Sequence, residues 1–90
     1  MNWKIGFSKE SVSFLRENDD FSKESVISLL MQAIKIFSGQ RINIDIKKLK
    51  GEWNGFYRIR KGKLRIIASF DFEAHFIFIE RIDWRGNAYK

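Results

Sequence analysis

The 90-residue chain contains no cysteine and a single histidine, His75. The first absence excludes disulfides, thiolate metal sites and a cysteine nucleophile, and it favours a reducing cytoplasm as the compartment. The second leaves imidazole metal binding with one isolated ligand near a turn, which is too few for a site. Long apolar runs are missing too. The longest, Val26 to Phe37, is too short to span a bilayer and is broken by Gln32 and Lys35. The amino terminus alternates polar and apolar residues from the start, so no signal peptide is expected. Glu52, Glu73, Glu80 and Asp83 form no evident carboxylate pair for acid–base work. No Gly/Ser linker or low-complexity segment divides the chain, and one domain is expected.

What the chain does have is apolar material for one core (44% hydrophobic, 16% aromatic) and a lopsided charge. Residues 1–40 carry five Lys or Arg against five Asp or Glu, whereas residues 41–90 carry twelve against six, so the whole net charge of +6 lies in the second half. Arg41 to Arg65 alone hold nine basic residues against Asp45 and Glu52. A one-sided positive field of this kind attracts polyanions and does little for folding.

The apolar periodicity divides the chain in the same place. Trp3, Ile5 and Phe7 alternate, which predicts a first strand over Asn2–Phe7. Phe7-Ser-Lys-Glu-Ser-Val12 recurs as Phe21-Ser-Lys-Glu-Ser-Val26. With Ser8 and Ser22 as N-caps, each Phe and Val stands at hydrophobic-staple spacing, and a glutamate suits each first turn. Helices are predicted over about Lys9–Glu17 and Lys23–Ser38, the second ending at Gly39 and presenting Val26, Leu30, Ala33, Ile34 and Phe37 on one face. Arg41–Lys50 reads as a basic linker in which Ile42, Ile44 and Ile46 suggest a short extended piece. Strands are expected at about Phe56–Lys61, Leu64–Phe70 and Phe76–Ile82. The fold class is therefore α+β: a small antiparallel-rich sheet in the order β-α-α-β-β-β, with two N-terminal helices packed on one face.

Lys61-Gly62-Lys63-Leu64 fits a two-residue hairpin, with Gly62 supplying the positive φ of a type II′ turn. That register pairs Arg60 with Arg65 and puts Arg58, Arg60, Arg65, Ile67 and Ser69 on the face away from the helices. Opposed like charges destabilise a sheet by roughly a few tenths to 1 kcal/mol, which suggests an anion at this place. Pairing Phe70 with Phe76 would turn Phe78 toward the core and bring Arg81 beside Arg65, giving a row of three arginines; a one-residue slip would bury Arg81 instead. Lys47, Lys48 and Lys50 read either as a solvated charge run or, since they lead into the arginine-bearing strand, as contacts to an RNA backbone, which is favoured. Trp53 could serve the core, stack on a base or meet a partner.

Lys48-Leu-Lys-Gly51, Gly55-Phe-Tyr-Arg-Ile-Arg60, Leu64-Arg-Ile-Ile67 and Arg81-Ile-Asp-Trp-Arg-Gly-Asn-Ala-Tyr-Lys90 occur together in this order. With them the chain resembles the RelE/ParE superfamily of toxins from type II toxin–antitoxin modules, in its RelE-like branch, over essentially the full length 1–90. The helical half matches in pattern only. The resemblance implies a cytoplasmic, ribosome-dependent endoribonuclease that cuts messenger RNA codons in the ribosomal A site and so inhibits translation. The 2′-hydroxyl would attack the adjacent phosphate, with no metal and no cofactor.

By position, the resemblance makes Arg65 the contact to the scissile phosphate and Arg85 a stabiliser of phosphorane charge or of the leaving group. Tyr89 would stack on a base or carry a proton. Arg58 and Arg60 stand where some members have two lysines. Arginine stays protonated, so their role would be electrostatic, leaving proton transfer to Tyr89, to a lysine such as Lys61, or to ribosomal RNA. Trp84 replaces a histidine common among relatives and could stack on a nucleobase, while Lys61 and Arg81 join the RNA-binding set. The implied partners are the ribosome, messenger RNA and a cognate antitoxin with an acidic wrapping segment; a membrane is not among them. Two alternatives stay open: a ParE-like DNA gyrase inhibitor, and a weakened toxin that only binds its antitoxin. Arg85 and Tyr89 favour the ribonuclease.

Overall fold

The computed structural model describes residues 3–18 and 23–84. Along the chain run β1 (Lys4–Phe7), α1 (Lys9–Glu17), α2 (Lys23–Phe37), β2 (Asp45–Lys48), a 3₁₀ turn (Gly51–Trp53), β3 (Tyr57–Lys61), β4 (Leu64–Asp71) and β5 (Phe76–Trp84). The strands form one sheet in the order β1-β5-β4-β3-β2, in which β1 lies parallel to β5 and the other neighbours are antiparallel. This is the expected α+β arrangement with one strand more: the basic segment read as a linker pairs along β3 as an edge strand.

Local chemistry explains the helix limits. Ser8 caps α1, its Oγ accepting from the Ser11 amide at 3.1 Å, and Glu10 lies in the first turn. Val12, at the staple position, is exposed, and the inward positions of α1 are Ser11 and Phe14. Phe21 and Ser22, of the second copy of the motif, lie outside the described residues. α2 buries Val26, Leu29, Leu30 and Ala33. Beyond it Gly39 takes φ 96°, with its amide bonding to the Ile36 carbonyl and the Gln40 amide to that of Lys35, the paired bonds of a Schellman ending.

The core lies between the helices and one face of the sheet. Ile59, Ile66, Ala68, Ile77 and Ile79 meet Val26, Leu30 and Ala33, all fully buried, and Phe14 joins them from α1. The β3–β4 hairpin has the expected register throughout, from Tyr57↔Ala68 to Lys61↔Leu64, with Gly62 at φ 62°. On the opposite face a second, smaller cluster forms where Leu49, Trp53 and Phe56 cover Ile67.

The β4–β5 pairing corrects the sequence-based register. Phe70 pairs with Ile77, not Phe76, and Phe78 stands opposite Ser69 while Ile77 and Ile79 fill the core. Continued along the whole ladder, this one-residue slip would turn Arg81 inward. A β-bulge between Ile67 and Ala68 prevents it: Ala68 pairs with Ile79 and Ile67 with Arg81, leaving Glu80 as the extra residue. Beyond the bulge the phase is reversed, so Ile82 is buried opposite Ile66, and Arg81 and Asp83 return to the open face.

Candidate functional site

Strand side chains alternate between faces, so the hairpin and its neighbours set out a grid on the side away from the helices. One row across the sheet reads Asp45, Arg60, Arg65, Asp83; the next reads Lys47, Arg58, Ile67, Arg81. Arg60 and Arg65 do oppose each other as expected. Arg81 does not join their row: it lies in the adjacent one, and Asp83 takes the place beside Arg65.

Repulsion between the paired arginines is offset within the chain. The Asp45 carboxylate on edge strand β2 accepts from Arg60 Nε at 2.9 Å and from the Arg60 terminal nitrogen, and it meets an Arg58 terminal nitrogen at 3.3 Å. The Arg60 hydrogen bond holds the Asp45 carboxyl below its ordinary value of 3.8; desolvation opposes it, and the charges of Arg60, Arg58 and Lys47 each add a lesser lowering. Four arginines and Lys47 stand against two carboxylates on this grid, an excess of three positive charges.

Arg81 is held differently. Its guanidinium lies 6.0 Å from the centroid of the Trp53 ring, a cation–π contact, and its buried Nε has no hydrogen-bond partner among the described residues. Trp53 also packs edge-on against Phe56, with ring centroids 5.8 Å apart. The 3₁₀ turn thus walls the arginine face on one side while remaining partly exposed.

Of the residues expected at the site, Arg58, Arg60, Arg65, Arg81 and Lys47 come together. Others do not. Lys61 lies in the opposite phase of β3 and lines a groove with Glu24, Ser28 and Gln32 of α2. Lys48 shares the phase of Tyr57, again away from the arginines, and Lys50 is exposed before the 3₁₀ turn. Trp84 has the helix-side phase, its ring 5.3 Å from that of Phe14. Arg85 and Tyr89 lie outside the described residues. Sequence reasoning missed Asp45 and Asp83 as members of the site. The signal for Asp45 was present in the alternating Ile42, Ile44 and Ile46, which on a strand turns Asp45 and Lys47 to the other face. No cluster of three or more His, Cys, Asp or Glu among the described residues could hold a metal, and no described helix is long and apolar enough to cross a membrane.

Two helices on one side of a five-stranded mixed sheet make an α+β fold like that of the RelE-type toxins of toxin–antitoxin modules. Among solved structures, a chain of the archaeal RelE–RelB complex from Pyrococcus horikoshii is 27% identical, with a TM-score of 0.60 over 98% of this chain and 100% of that one. The YoeB–YefM toxin–antitoxin complex from Staphylococcus aureus matches at 21% identity and a TM-score of 0.63, covering 89% and 93% of the two chains. A metal-bound toxin from Helicobacter pylori matches at 17% identity and a TM-score of 0.67, covering 98% and 100%. At these lower identities the likeness is one of fold. No protein-family profile matches the sequence, and no curated protein matches it either.

Proposed function

We propose that this chain is the toxin of a type II toxin–antitoxin module and acts as a ribosome-dependent endoribonuclease on messenger RNA. The observation that carries the reading is the gathering of Arg58, Arg60, Arg65 and Arg81 on one open sheet face of a RelE-like fold. Guanidinium groups donate in pairs to phosphate oxygens, so such a grid can hold an RNA backbone by several charge-assisted bonds. Attack of a 2′-hydroxyl, as it loses its proton, on the neighbouring phosphate builds negative charge on a phosphorane. Fixed cations beside it stabilise that charge more than they stabilise the diester ground state. The phosphorane collapses to a 2′,3′-cyclic phosphate as the P–O5′ bond breaks and the 5′-oxygen takes up a proton. Arg65, central in the sheet, is the phosphate contact. Arg58 and Arg60 stay protonated and act by charge. Lys61 lies on the opposite face, which leaves proton transfer to Tyr89 or to ribosomal RNA in this reading. The metal-free mechanism and the roles of Arg85 and Tyr89 belong to the same proposal.

The partner that restrains such a toxin is an antitoxin, and the neighbouring structures include toxins held in complexes with YefM and RelB. A surface with an excess of three positive charges suits an acidic segment laid across the arginine face. Translation of a reporter and supercoiling by gyrase, followed side by side with the purified chain, test the reading. Arrested translation with unchanged supercoiling is expected. Unimpaired translation with blocked supercoiling would replace it by gyrase inhibition.

A further inference from the structure

The bulge that returns Arg81 and Asp83 to the open face leaves Glu80 opposite no residue of β4, and the start of α1 meets β5 at this point. The Ile79 carbonyl accepts from the Ser8 amide at 2.9 Å and from the Ser11 hydroxyl at 3.3 Å, while the Ser8 hydroxyl donates to the Glu80 carbonyl. Ser8 Oγ meanwhile accepts from the Ser11 amide, so one hydroxyl caps the helix and holds the bulge. Ser11 is fully buried. A buried hydroxyl is costly unless its bonds are made, and its bonds here go to Ser8 O and Ile79 O.

β1 pairs with β5 only as far as Phe7↔Ile79, so the parallel ladder ends at the bulge, and α1 begins there. Two competing pairings of β5 are available. The uninterrupted one keeps every ladder bond but turns Arg81 inward and Ile82 outward. The bulged one restores both residues and leaves Glu80 outside the pairing with β4. We propose that the hydroxyls of Ser8 and Ser11 clasp these two carbonyls and so fix the register that places Arg81 and Asp83 on the arginine face. Ser8 and Ser11 are positioning residues, some distance along the strand from the face they serve. The register claim concerns the folded chain alone; its consequence for cleavage rests on the ribonuclease reading above.

Ser8→Asp separates the two duties of this hydroxyl, because a carboxylate still caps α1 but cannot donate to Glu80. Ser8→Thr keeps both. In the isotope-labelled full chain, cross-strand backbone NOEs between Ile67 and Arg81 and between Arg65 and Asp83 report the bulged register. Those between Ser69 and Phe78 and between Asp71 and Phe76 serve as controls below it. Ser8→Asp is expected to lose the first pair and keep the controls, Ser8→Thr to retain all four, and Ser11→Ala to weaken the first pair. Retention of all four at full intensity in Ser8→Asp would overturn the clasp. Should that variant fail to fold, undiminished Ile67–Arg81 and Arg65–Asp83 contacts in Ser11→Ala would overturn it instead.

In ribosome-dependent cleavage, Ser8→Asp is expected to lower kcat about tenfold to a hundredfold while the half-saturating ribosome concentration moves little, with the rate restored in Ser8→Thr. Lost register with an unchanged rate would overturn the positioning role. A wild-type chain that cuts no RNA, with the NOE pattern as described, would leave the clasp standing and remove the ribonuclease reading.

Discussion

Asp45 and Arg60 face each other across the β2–β3 ladder, and a single carboxylate oxygen of Asp45 takes two of the bonds that Arg60 has to give, one of them from Nε at 2.9 Å. The most basic part of the chain therefore carries its own counter-ion on the edge strand that borders it. An arriving phosphate competes with this carboxylate for Arg60 and, more weakly, for Arg58.

The Asp45 carboxyl is expected to titrate below its ordinary value of 3.8, and Arg60→Ala to return it toward that value. A carboxyl-detected NMR titration measures both. With the folded value depressed, the pairing contributes stability that is fully present above the ordinary value and is lost as pH falls through the folded one. Melting temperatures of wild type and Asp45→Asn are thus expected to converge at the acid end. Since Asp45 is exposed, the separation at neutral pH is small.

Asp45→Asn is also expected to tighten binding of a short single-stranded RNA, by roughly twofold to tenfold in low salt, with the gain fading as salt rises. Fluorescence anisotropy across a salt series measures it. Weaker binding by this variant would mean that Asp45 orients Arg60 for RNA instead of competing with it.

Lys47 and Lys61 offer a test of which face meets RNA. Lys47 lies on the arginine grid and Lys61 on the α2 side. Lys47→Ala is expected to lower the slope of log affinity against log salt by about one contact, roughly 0.7 for single strands. Lys61→Ala is expected to leave it unchanged. Equal effects of the two substitutions would spread binding over both faces.

Trp53 supports Arg81 through its ring and covers Ile67. Trp53→Ala is expected to lower stability by roughly 1–3 kcal/mol through lost burial and the lost cation–π contact, and to slow cleavage. Trp53→Phe keeps an aromatic face and is expected to retain most of both. Denaturant melts and cleavage rates on the same preparations give the comparison.

Much of this architecture is written in local patterns. α1 coincides with its expected span because Ser8 and Asn18 cap its two ends, and the hairpin register follows from Gly62 alone. Three features are set by tertiary contacts and escape such reading. β1 pairs with β5, some seventy residues further along the chain. β2 shows its alternation in Ile42, Ile44 and Ile46, but its place in the sheet comes from pairing with β3. The bulge at Glu80 depends on hydroxyls some seventy residues away, |i−j| being 72 for Ser8 and Glu80. For that reason Arg58, Arg60 and Arg65 could be placed from sequence, whereas Arg81 came out one row away and Asp83 was not seen as part of the site.

The most direct measurement is primer extension on a defined messenger RNA in a reconstituted translation reaction, comparing wild type with Arg65→Ala, and the same RNA without ribosomes. The account predicts cuts inside the A-site codon that require ribosomes and fall by about a hundredfold or more in Arg65→Ala. Intact messenger RNA with wild type, or cutting that Arg65→Ala leaves undiminished, would contradict it.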